Sequence, residues 1–96
     1  MNETFNLQDM AQKALDFYGF PDRKIKACEE LSELSAVLMR TFTREVTNYE
    51  LASEIADVYI LLESIRALVP EPYLNHVIQI KLAALALQME KDKVGA

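Results

Sequence analysis

The 96-residue sequence has no tryptophan, one cysteine, one histidine, two glycines and three prolines, and each scarcity narrows what the chain can be. A lone Cys28 excludes an intramolecular disulfide framework and fits a reducing compartment. With His76 as the only histidine, no Cys/His zinc cluster can form, and the paired Glu-x-x-His motifs of a di-iron bundle are missing. There is no glycine-rich phosphate loop and no nucleophile elbow. Basic residues are in deficit: 10 Lys+Arg against 15 Asp+Glu give a formal net charge of −5. That balance argues against a nucleic-acid surface and suits a site that collects divalent cations. The longest apolar runs, Val58–Leu62 and Leu82–Leu87, are too short to span a bilayer. Residues 1–20 lack a basic region followed by an apolar one, so no signal peptide is expected. The expectation is a cytoplasmic protein that binds neither membrane nor nucleic acid.

What is present is apolar sequence in helical rhythm. Hydrophobic residues make up 51% of the chain, enough for one domain, 1–96, with a modest core that oligomerisation would complete. Asn6 followed by Asp9 reads as a helix cap, opening a helix over about Leu7–Tyr18 that Gly19 stops. Its apolar face is Leu7, Met10, Ala11, Ala14 and Leu15. Pro21 and Asp22 open a second helix, about Arg23–Thr43, with Ala27, Leu31, Leu34, Val37, Leu38 and Phe42 as its stripe. Thr47-Asn48-Tyr49-Glu50 has the form of a capping box. The third helix then runs to about Val69 with Leu51, Ile55, Val58, Leu62, Ile65 and Val69. Pro70 and Pro72 break the pattern, and a fourth helix reaches about Lys91 through Leu74, Val77, Ile78, Leu82, Leu85 and Met89. Short connections between long amphipathic helices predict an all-α, antiparallel bundle of about four helices.

Acids interrupt these stripes. Residues three apart are neighbours on a helix surface, so Glu30 with Glu33 and Glu54 with Asp57 form one carboxylate pair on each of two consecutive helices. Such pairs also occur on solvated faces of Glu-rich helices. Here they lie toward the core side, where carboxylates carry a desolvation cost and repel one another. A divalent cation removes both problems, and hard oxygen ligands select Mg²⁺, or Mn²⁺, over zinc. Lys81 falls on the fourth stripe between Ile78 and Leu85; it could pair with an acid, extend to solvent or contact a phosphate. Lys26 stands one turn before Glu30 as a possible partner for it, while Cys28 reads as core filler and His76 as an exposed helix start.

The segment Lys26-Ala-Cys-Glu29-Glu30-Leu-Ser-Glu33-Leu34, then Glu54-Ile-Ala-Asp57-Val58 after 20 intervening residues, resembles the MazG-like all-α nucleoside triphosphate pyrophosphatases. The likeness extends from about Leu7 to Met89 and is nearest to the short single-domain bacterial and phage members. It implies that Glu30, Glu33, Glu54 and Asp57 bind Mg²⁺, and that the chain hydrolyses a nucleoside triphosphate to monophosphate and pyrophosphate. It also implies dimers or tetramers with sites between subunits, and a base pocket beside the acids. In this scheme Glu33 or Glu30 would accept the proton of the attacking water, and Lys81 and Lys26 are candidate substrate contacts.

The chain departs from that pattern in its last helix. Short relatives often carry arginines where this sequence has Ala84 and Gln88, a loss that Arg40 and Arg44 could offset, although solvated surface is the simpler role for both. Two other functions stay open: a phosphoribosyl-ATP pyrophosphatase, and a non-catalytic helical oligomer that binds a nucleotide or a protein. Tyr49, Tyr59, Phe5 and Phe17 are candidates for base stacking, with core packing the more ordinary use of each.

Overall fold

Asn6 begins the first helix as the sequence predicts, its Oδ1 accepting from the Asp9 backbone N–H at 2.9 Å, which satisfies one of the donors a helix start leaves free. The computed structural model describes residues 4–95. Among them are four α-helices and no strand: α1, Leu7–Tyr18; α2, Phe20–Arg40; α3, Asn48–Ile65; and α4, Glu71–Gly95, with a short 3₁₀ helix at Arg66–Leu68. The chain is all-helical. No helix of the described residues is long and apolar enough to cross a membrane.

The helix boundaries differ from the sequence reading for local reasons. α2 starts at Phe20, not near Arg23, because Gly19 alone joins it to α1. Gly19 has φ 85° and ψ 163°, a region that side chains with a Cβ avoid. Its N–H caps the Leu15 carbonyl at 2.8 Å, and its own carbonyl accepts from Arg23 at 3.1 Å. α2 ends at Arg40 rather than Thr43. Beyond it, Thr41 and Thr43 donate their hydroxyls to the Leu38 and Arg40 carbonyls, at 2.6 and 3.3 Å, a local bonding that competes with further helix. α3 stops at Ile65 and tightens into the 3₁₀ turn as Pro70 approaches, since a proline disfavours helix in the residue before it. The Pro70 carbonyl then accepts from Leu74 at 3.0 Å to start α4, which runs past Lys91 to Gly95.

The capping box at α3 is half realised. Thr47 Oγ1 accepts from the Glu50 N–H at 3.0 Å, but the Glu50 carboxylate turns to the Thr47 hydroxyl at 3.4 Å and to Arg44 at 3.5 Å.

The chain divides into two units, residues 1–66 and 67–96. In the first, α3 packs against both α2 and α1. The buried apolar residues are Ala11 and Leu15 from α1, Ala27 and Val37 from α2, and Val58 and Leu61 from α3. Ser64 is buried with them and donates to the Ala11 carbonyl at 3.1 Å. Of the predicted stripe Val58 is buried, but Ile55 and Leu62 are exposed while Leu61 is buried, so the inward face of α3 is rotated from it; Val69, beyond the end of α3, is exposed too. Because α3 is apolar on several sides, periodicity alone did not select the face. On α2, Leu31 and Leu38 are likewise exposed, as is Phe42 just beyond its end; Cys28 is exposed as well, so the expectation of core filler is corrected.

In the second unit, α4 contributes no buried residue. Its predicted stripe is joined by a second apolar row, Tyr73, Ile80, Leu87 and Val94, spaced by sevens on the far side of the helix. All four are exposed.

Candidate metal centre

The site is built on the facing sides of α2 and α3. From the N-terminal end of α2, Arg23, Lys26, Glu30, Glu33, Val37 and Arg40 recur at alternating steps of three and four, which keeps them on one helical stripe. On α3 the matching stripe is Glu50, Glu54, Asp57, Leu61 and Ser64. Arg44 pairs with Glu50 at 3.5 Å; farther along, Arg40 and Glu33 act on Glu54, and Asp57 acts on Glu30. Partners advance along α3 as they recede along α2, so the two helices are antiparallel. The charge order on α2 is two cations, two acids, one apolar residue and a cation.

Four carboxylates meet in the middle. One oxygen from each of Glu30, Glu33 and Glu54 lies within 4.8 Å of the others. Asp57 stands outside this trio but adds its charge to both Glu30 and Glu54, and it lines a cleft together with Glu30. Glu30, Glu54 and Asp57 are half-buried and Glu33 is exposed. The Oε2 atoms of Glu30 and of Glu54 are sealed from solvent and have no hydrogen-bond partner.

Loss of solvent contact pushes the Glu30 carboxyl above its ordinary range, and the charges of Glu33, Asp57 and Glu54 push it further. Glu54 rises for the same first reason, helped by Glu33 and Asp57, while Arg40 pulls it back. These are the two ways a buried carboxylate among like charges is destabilised. A hard divalent cation answers both, since it needs oxygen ligands and cancels the repulsion. The donor set and the two orphaned oxygens fit Mg²⁺ or Mn²⁺.

The remaining expected contacts sort as follows. Lys26 reaches Glu29 at 3.4 Å rather than Glu30, because residues three apart on α2 are as near as those four apart; it also lines the cleft. Lys81 is exposed on α4, in the second unit. Of the two arginines expected to offset the loss on α4, Arg44 is occupied by Glu50 and by the Glu45 carbonyl at 2.9 Å; Arg40 is the one whose charge acts on an acid of the site. Gln88 donates to Asp92 at 2.9 Å. Phe5, Phe17, Tyr49 and Tyr59 are all exposed, against the expectation of core packing.

Sequence reasoning missed Tyr18 and Arg23. They line the same cleft as Glu30 and Asp57, a cavity of about 280 Å³ floored by Ile60 and Leu61. Arg23 is only 9% exposed. Its Nε donates to Asp22 Oδ1 at 2.9 Å, its Nη2 to the same oxygen, and its guanidinium lies 4.5 Å from the Tyr18 ring centroid. The signal that reveals Arg23 is the three-four rhythm, which continues from Glu33 and Glu30 back through Lys26.

Comparison with family models, with curated proteins and with solved structures finds no match for this chain.

Proposed function

We propose that this chain is a Mg²⁺-dependent nucleoside triphosphate pyrophosphohydrolase, with the organisation of the MazG-like enzymes that its two acid motifs resemble. The observation that carries the reading is the convergence of Glu30, Glu33 and Glu54 from two helices within 4.8 Å, with two oxygens buried and lacking any donor. Glu30, Glu33, Glu54 and Asp57 act as the ligands, the first three from the convergent trio and Asp57 beside it. When bound, such an ion supplies charge neutralisation at phosphate oxygens, a lower pKa for water and stabilisation of the leaving pyrophosphate. Glu33, the exposed member of the trio, is the first choice to accept the proton of the attacking water, with Glu30 second. Nucleotide-pool housekeeping is the role that such a reaction serves.

The protein works as a homodimer or homotetramer in this reading. The support is α4, which carries apolar rows on two opposite sides and contributes no buried residue; an apolar stripe on a helix is a face for packing against another element. The test of function is product analysis with Mg²⁺ and a panel of canonical and modified nucleoside triphosphates, phosphoribosyl-ATP included, with Glu54→Gln as control. Monophosphate plus pyrophosphate, lost in the control, supports the reading. Turnover of phosphoribosyl-ATP alone would reassign the substrate. An oligomer that binds Mg²⁺ and turns over nothing would favour a non-catalytic nucleotide- or protein-binding role, which Ala84 and Gln88 in place of arginines already suggest.

A further inference from the structure

We propose that the cleft beside the acids is a pyrophosphate subsite in which Arg23 holds the end of the substrate that departs; the proposal rests on the reading of the acids as a Mg²⁺ site. Arg23 is nine-tenths buried, yet its ion pair is with the adjacent Asp22, a pair that a fully exposed arginine would make as well. Burial therefore does not serve the pair. What it does is fix the guanidinium: Asp22 takes Nε and Nη2, and the Tyr18 ring covers one face at 4.5 Å. Nη1 has no partner among the described residues, on the side chain best shaped for a phosphate. Lys26, one turn farther along, adds a second cation. Its pair with Glu29 joins two half-exposed side chains at 3.4 Å, and such a pair is easily exchanged.

Size and lining decide which part of a nucleotide enters. A cavity of about 280 Å³ is slightly below the range that encloses a drug-sized ligand, so a nucleoside triphosphate enters in part. Tyr18 lines the cleft with one face on Arg23 and meets Phe17 edge-on at 4.8 Å and 83°, so the ring holds the guanidinium at the cleft wall, where it can meet a phosphate. The first turns of α2 add the positive end of a helix dipole. Asp22, Glu29, Glu30 and Asp57 nevertheless outnumber Arg23 and Lys26 around the cleft. A free anion is repelled, and a divalent cation on the acid wall cancels that excess of negative charge. Pyrophosphate binding is therefore Mg²⁺-dependent.

The experiment is calorimetric titration of inorganic pyrophosphate, with and without Mg²⁺, into the wild-type protein, Arg23→Gln, Arg23→Lys and Lys26→Gln, with Mg²⁺ alone and unphosphorylated nucleosides as separate titrants. Wild type binds pyrophosphate only with Mg²⁺. Arg23→Gln weakens that binding by about tenfold or more, the size expected for a lost charge-assisted hydrogen bond, with Mg²⁺ affinity unchanged. Lys26→Gln weakens it less. Should Arg23→Gln fail to fold, Arg23→Lys keeps a stem over Tyr18 but loses the planar fork and still shows the loss. Pyrophosphate affinity indifferent to Arg23, no pyrophosphate binding by a wild type that binds Mg²⁺, or a nucleoside whose affinity falls instead would overturn this proposal alone. No Mg²⁺ binding by wild type would remove the metal reading and this one with it.

Discussion

Glu30 on α2 and Glu54 on α3 converge on one point, and each keeps its Oε2 out of reach of both solvent and any hydrogen-bond donor. A fold does not gain from such an arrangement unless something else enters it, because a buried unpaired carboxylate costs free energy. Both carboxyls respond by titrating above the ordinary value of 4.5.

That direction fixes a pH dependence. Below about 4.5 both groups are protonated whether the chain is folded or not, and they contribute no penalty. As pH rises past 4.5 the unfolded chain ionises them first, so the metal-free protein loses stability until the raised folded values are passed. Mg²⁺ needs the ionised form. Thermal unfolding in EDTA and in Mg²⁺ will show a stabilisation by Mg²⁺ that is largest at neutral to alkaline pH and fades on acidification. A Mg²⁺ effect that is absent, or that grows toward acid pH, would sink the assignment.

Glu54→Gln separates stability from function. The neutral amide ends the repulsion with Glu33, Asp57 and Glu30, so the variant in EDTA at neutral pH unfolds at a higher temperature than wild type. Its turnover falls by about a hundredfold or more, since a displaced metal ion removes several kcal/mol of transition-state stabilisation. A variant both less stable and fully active would contradict both halves.

Ser64 ties α3 to α1 through the Ala11 carbonyl and is 1% exposed. Ser64→Ala removes a hydroxyl donor shared between the Ala11 and Ile60 carbonyls and costs about 0.5–1.5 kcal/mol, while Ser64→Leu overfills the contact and costs about 1–3 kcal/mol. Denaturant unfolding gives both values, and Leu should be the worse of the two.

The second row on α4 makes a prediction about assembly. Leu87→Glu places a charge in the row Tyr73, Ile80, Leu87 and Val94 and should lower the oligomer's order or weaken it in sedimentation analysis. A charge at the same helix's exposed Gln79, outside both rows, should not. Equal behaviour of the two variants would dissociate this row from the interface.

The acid motifs were legible because Glu30, Glu33, Glu54 and Asp57 obey helical spacing on helices the sequence marks plainly with Asn6, Gly19 and Thr47. Which side of α3 turns inward was not. Val58 belongs to the expected stripe and is buried, but beside it Leu61 and Ser64 compete with Ile55 and Leu62, and only contact with α1 and α2 chooses between them. Arg23 escaped notice because a charged residue in a first helical turn reads as surface; its burial depends on Tyr18, across the Gly19 joint. The second row on α4 was hidden by the first, since a single stripe is enough to identify a helix.

Gly19 holds φ 85° in the one-residue joint between α1 and α2, yet beyond its own chain neighbours a Cβ of ordinary chirality would meet nothing nearer than Pro21 Cδ at 3.8 Å, a normal contact. The constraint at this joint is thus one of handedness rather than of room. A D-alanine, whose preferred torsions are the mirror image of those of the L form, suits this backbone where L-alanine strains it, so the lack of a stereocentre at position 19 is what lets two right-handed helices meet across one residue and sets Tyr18 beside Arg23.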